Sequence, residues 1–190
     1  MDIIKKLAQE LAIKEEQAKA AVQLIDEGNT IPFIARYRKE MTGALNDETL
    51  RNLHERLLYL RNLEEKKEQV INAITDQGKM TEDLKKKILS AETLVAVDDL
   101  YRPYRPKKQT RATKAKEKGL EPLANILLLQ KTTKSMEEEA AAFVNAEKGV
   151  ANAKEAIAGA KDIIAEMIAD MADYRKSIRN CTMKQGSLVV

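Results

Sequence analysis

The sequence predicts an all-α protein, and three observations carry that expectation. Ala, Glu, Lys, Leu and Arg supply 98 of the 190 residues, a share near ~50% that marks long helices when a helical period accompanies it. Such a period runs from Ile3 to roughly Ile178, punctuated by capping residues rather than strand turns. Aromatic residues make up only 4% and Trp is absent, which is poor material for a sandwich or barrel. About ten helices and no sheet of three or more strands are expected.

The elements follow in order. Ile3, Ile4, Leu7 and Leu11 repeat at helical spacing, and Ala18, Ala21, Val22 and Ile25 continue the period in a second helix. Gly28-Asn29 stops it, since both tolerate the left-handed conformation. Thr30 stands at an N-cap with Pro32 in the first turn of a third helix, PFIARYRKE, where the missing N–H costs little. Asn46 caps the next, with Asp47 and Glu48 complementing the helix dipole. No breaker follows before Gly78. Leu50, Leu53, Leu57, Leu60, Ile71 and Ile74 fall on a seven-residue repeat that Glu64 and Lys67 interrupt. A free-standing coiled coil wants that seam filled, so the reading is one long helix whose middle crosses a polar surface or lies exposed.

Thr81 and Thr93 open two short helices. Arg102-Pro103-Tyr104-Arg105-Pro106 is no regular helix, because each Pro pushes its predecessor toward extended geometry. A basic helix spans about Thr110 to Lys118, closed by Gly119, and Pro122 starts an apolar one. Ser135 with Glu138, and Asn152 with Glu155, have the spacing of capping boxes. Asp170 with Asp173 suits a restart of the last, Ala-rich helix. Gly159 in that helix costs roughly 1 kcal/mol relative to Ala. Its small neighbours Ala153, Ala156 and Ala160 favour close approach of another backbone. The terminal GSLVV reads as a strand start without an upstream partner, and hence as the beginning of a further domain.

Composition excludes several functions. One Cys (Cys181) and one His (His54) permit neither a disulfide framework nor a Cys/His zinc site. The lone Cys fits a reducing, cytoplasmic compartment. No run approaches ~18 apolar residues, so no membrane partner is expected. No Gly-rich phosphate loop occurs, and His54 has no Ser or Cys nucleophile paired with it by any visible pattern. The expectation is a chain that is not an enzyme, with no cofactor and no metal. Asp98-Asp99, adjacent on a helix, suit two salt bridges better than a carboxylate dyad.

The strongest local signal is basic. From Arg102 to Lys118 eight cations stand against one acid, Glu117, in a chain of net charge +3. Arg105, Lys107, Lys108, Arg111, Lys114 and Lys118 are candidate phosphate contacts, and Tyr104 is a candidate stacking plane. Two readings stand: an exposed nucleic-acid surface, or a basic segment docked on acids of the protein itself. A second cluster is Arg36, Arg38 and Lys39. There the favoured reading is structural, with Arg36 paired to Asp26 or Asp99, since Arg suits forked ion pairs.

Four segments are unusual enough to suggest a family: EGNTIPFIARYRKEMTG (27–43), ERLLYLRNLEEKK (55–67), DDLYRPYRPKKQTRATKAKEKGLEPLA (98–124) and EAIAGAKDIIAE (155–166). Together they resemble the N-terminal region of the bacterial Tex proteins, transcription accessory proteins related to a eukaryotic elongation factor and histone chaperone. The resemblance implies a helical region over 1–186 with a helix-turn-helix-like part. A ribonuclease-H-like domain would begin at 187–190, with helix-hairpin-helix modules and an OB-type RNA-binding domain beyond. It implies a non-catalytic scaffold associated with nucleic acid, RNA or single-stranded, contacted mainly through the downstream domains. The alternative is a docking module for those domains or the transcription machinery that does not itself touch nucleic acid.

Overall fold

The computed structural model describes residues 2–106 and 108–187. Among them are twelve α-helices and one 3-10 turn, and the sole extended pairing is an isolated bridge between Asn145 and Val150. The protein is therefore all-α. The chain divides into two compact units, Met1–Val97 and Asp98–Val190. The strand expected of GSLVV falls on residues 188–190, outside the described residues.

The first unit is organised by one helix. α1 (Ile3–Glu10) and α2 (Glu15–Asp26) pack on each other and on α5 (Asp47–Asp76), and α3 (Ile31–Tyr37) joins them. Asn46 caps α5, its side chain accepting from Thr49 N at 2.7 Å. Leu50, Leu53, Leu57 and Leu60 then form a buried stripe against Leu7, Ala18, Ala21, Leu24 and Ile34. The third helix is shorter than its sequence suggests. Arg38 leaves helical geometry, and α4 (Lys39–Thr42) follows as a separate turn. Gln17 on α2 fixes that turn by donating to the carbonyls of Thr42 and Gly43, at 3.2 and 3.0 Å.

Lys67 corrects the reading of α5. It lies neither on a polar surface nor in solvent: it is 2% exposed. Its ammonium donates to Glu64 at 2.8 Å and to the Leu89 carbonyl of α6 (Glu82–Ser90) at 2.9 Å. The aliphatic stem continues the apolar seam while the charged tip meets an open carbonyl near the end of α6. Burial pushes Glu64 up, but the Lys67 hydrogen bond and charge outweigh it and leave the carboxyl below its ordinary range.

The second unit has a different core. α8 (Arg111–Glu117), α9 (Glu121–Leu129) and α10 (Met136–Ala141) pack around α11 (Ala153–Ala169) through Ala112, Ala115, Leu123, Ala140, Ala156 and Ala160. The neighbours of Gly159 are side chains rather than the backbone expected: a Cβ there would meet Leu120 Cδ1 and lie 3.2 Å from Ala115 Cβ. The Ser135–Glu138 capping box forms. At Asn152 only half of the expected box does, because the Glu155 carboxylate turns to Ala151 N. α12 (Ala172–Gln185) starts at Met171 without a side-chain cap. Asp170 does not cap it, being drawn instead to Arg102.

Candidate nucleic-acid interface

The basic segment is built on two elements. A 3-10 turn, Arg102–Tyr104, runs into an irregular arm, and Thr110 caps α8 by accepting from Thr113 N at 3.0 Å. Ala112 and Ala115 face α11, and Arg111, Lys114 and Lys118, at three- and four-residue steps, run along the flank beside them, where they border a groove with Gly159 and Asp162 of α11. Opposite the arm lies a feature that sequence reading overlooked. Asp162, Glu166 and Asp170 recur every four residues on α11 and its C-cap, forming an acidic ladder. Arm and ladder border an open cleft of about 670 Å³.

The ladder takes up part of the basic segment. Arg102 Nε donates to Asp170 at 2.8 Å, and that carboxylate is nearly buried. Thr110 donates to Glu166 at 2.9 Å. Arg111 stands 3.7 Å from Asp162 with its side chain 88% exposed, a loose contact of the kind worth well under ~1 kcal/mol. Lys118 donates to the Gly149 carbonyl at 2.8 Å and so ties down the 145–150 turn. Arg105, Lys108 and Lys114 are exposed and reach no carboxylate among the described residues. Tyr104 is half-buried. Lys107 lies outside the described residues.

Arg36 does not make the pair expected of it. Asp26 is held by Arg61 through two parallel bonds of 2.8 and 2.7 Å, which lower its pKa. Asp99 is held by Arg175 at 2.7 Å and by Arg179, both from α12. Burial pushes Asp99 up, and the two guanidinium hydrogen bonds more than reverse that, leaving it below the ordinary value. The adjacent-acid reasoning foresaw two bridges there but not the partners, which lie 76 and 80 residues away. His54 sits half-buried on α5 near Arg51 and Pro32. Among the described residues no group of three His, Cys, Asp or Glu is placed to hold a metal ion. No helix among them is long and apolar enough to cross a membrane.

Comparison with known proteins decides the family. Residues 1–75 match the Tex-like protein N-terminal domain and residues 131–190 the Tex central region. The chain belongs to the Tex family. It is 48% identical over 183 residues to protein YhgF of Escherichia coli, covering 96% of this chain and 24% of that protein. It is 45% identical over 180 residues to the transcriptional accessory protein Tex of Neisseria gonorrhoeae, covering 95% and 23%. A human relative, S1 RNA-binding domain-containing protein 1, is 32% identical over 186 residues, covering 97% and 18%. The chain thus spans about a quarter of the length of the bacterial relatives it matches. The basic arm and α8 lie between the two matched Tex regions.

Proposed function

We propose that this chain is a non-catalytic helical scaffold of a Tex-type transcription accessory protein that contacts nucleic acid through the arm and α8. The observation that carries the reading is the trio Arg105, Lys108 and Lys114: exposed, on one short stretch, and unpaired with any carboxylate described. Cations free of internal partners are available to phosphates, whereas Arg102 is committed to Asp170. Nothing in the trio suits base-edge reading, so binding is expected to be independent of sequence. RNA or single-stranded DNA is the expected ligand class, in keeping with the name of the human relative. A cytoplasmic setting and a helix-turn-helix-like part belong to the same proposal.

The acidic ladder favours a second reading, a docking module. A cleft with cations on one wall and carboxylates on the other also suits a protein segment carrying both charges. Salt titration of oligonucleotide binding separates the two. With three phosphates neutralised, log K falls with log salt at a slope of roughly −2 to −3. Changing Arg105, Lys108 and Lys114 together to Glu should make that slope shallower by roughly 2 while the helical far-UV signal stays intact. An unchanged slope in that variant sinks nucleic-acid contact through the arm and α8 and leaves the docking reading for that cleft.

A further inference from the structure

The α3–α4 corner of the first unit spends little of its surface on the core. Ile34 and Thr42 are buried there, while Phe33, Tyr37 and Met41 turn outward at four-residue steps, 37%, 66% and 51% exposed. The Phe33 and Tyr37 ring centroids lie 5.2 Å apart at 45°, and the Arg38 guanidinium sits 5.2 Å from the Phe33 centroid. Arg36, Arg38 and Lys39 are all exposed. The carboxylates that sequence reading offered Arg36 are occupied, Asp26 by Arg61 and Asp99 by Arg175 and Arg179. Glu40 is the only acid between residues 31 and 43. The corner therefore presents two accessible rings and three cations that reach no carboxylate among the described residues.

We infer that this corner is a stacking site for single-stranded nucleic acid, carried by Tyr37 and Phe33 with Arg36, Arg38 and Lys39 on the phosphates, and distinct from the basic arm. Bases offer a flat π-face to any aromatic ring whatever their identity, and neighbouring cations hold the backbone alongside. Arg38 over Phe33 already shows the cation–aromatic geometry such a site uses. An acidic peptide would satisfy the cations but leave the Tyr37 ring without a planar partner. A duplex keeps its bases stacked internally, so the corner should prefer single strands.

The test uses the whole chain with a labelled 12-residue oligouridine and a duplex of equal length, followed by anisotropy. Tyr37→Ala should weaken single-strand binding about fivefold to tenfold, the scale of one lost base stack, with little change in salt slope. Arg36→Gln with Arg38→Gln should make the slope shallower by roughly 1 to 1.5. Tyr37→Phe should retain the affinity, and 4-thiouridine cross-links should map to α3. Should Tyr37→Ala perturb the far-UV spectrum, Tyr37→Leu keeps apolar bulk and should still lose the stack. Affinities within twofold of the parent in all patch variants would overturn the assignment. So would equal losses on duplex and single strand, or an effect of Tyr37→Ala confined to an oligoglutamate peptide. The arm variant fails or succeeds independently: an unchanged slope there, with Tyr37→Ala still weakened, removes the arm and leaves this site.

Discussion

The two units solve the same packing problem with opposite materials. In the first, one 30-residue helix presents a file of leucines to shorter helices. In the second, α11 presents alanines and Gly159, and a methyl added at Gly159 would press on Leu120 and Ala115. Large side chains fill distance, whereas small ones remove it. The first core should therefore be most vulnerable to deletion of atoms and the second to their addition.

The largest expected effect comes from deletion at the centre of the leucine file. Leu57 is 1% exposed, and Leu57→Ala should cost about 3 kcal/mol, within the range of such truncations. Chemical denaturation gives the total, and hydrogen exchange across α5 should show where the loosening lies. In the second unit the same logic runs backward. Gly159→Val should destabilise by roughly 2 kcal/mol because Leu120 and Ala115 occupy the space. Gly159→Ala should lose less, since the better helix propensity offsets part of the collision. A stabilised Gly159→Val protein would show that the approach at Gly159 is not tight and would dissolve the contrast between the cores.

How much of this the sequence discloses depends on the range of the interaction. Helix existence and most caps are local, so Asn46, Thr81, Thr110 and Ser135 are legible from three-residue spacing alone. Gly159 is legible because its small neighbours repeat along one face. Lys67 is not: a charged residue in an apolar register looks like an interruption until the Leu89 carbonyl is brought to it from another helix. Ion-pair partners are harder still. Asp26 and Asp99 are recognisable as pairing acids, but choosing Arg61, Arg175 and Arg179 over Arg36 requires the packing of whole helices. At the candidate site, the cations are legible as a run and the acidic ladder as a four-residue repeat. Their meeting across a cleft is long-range, and so is the difference between Arg102, committed to Asp170, and Lys108, which reaches no carboxylate among the described residues.

The smallest effect tests the other way in which the second unit is held. α12 has no buried residue, yet Arg175 and Arg179 both bind Asp99, which is 5% exposed on α7 (Leu94–Tyr101). Charge here replaces the apolar seam that fixes α5. Asp99→Asn keeps the shape and one acceptor oxygen but removes the charge, and should cost about 1.5 kcal/mol at neutral pH, typical of hydrogen bonds to charged groups. The sign with pH follows from the depressed pKa of Asp99. Its contribution is present above the ordinary aspartate value of 3.8 and is lost as pH falls through the lower folded-state value. The stability gap between the parent and Asp99→Asn should therefore be constant from pH 7 to about 5 and shrink below about 4. Urea titrations at several pH values measure it. A gap that widens on acidification, or one that persists unchanged to pH 2, would mean that α12 is held by something other than this carboxylate.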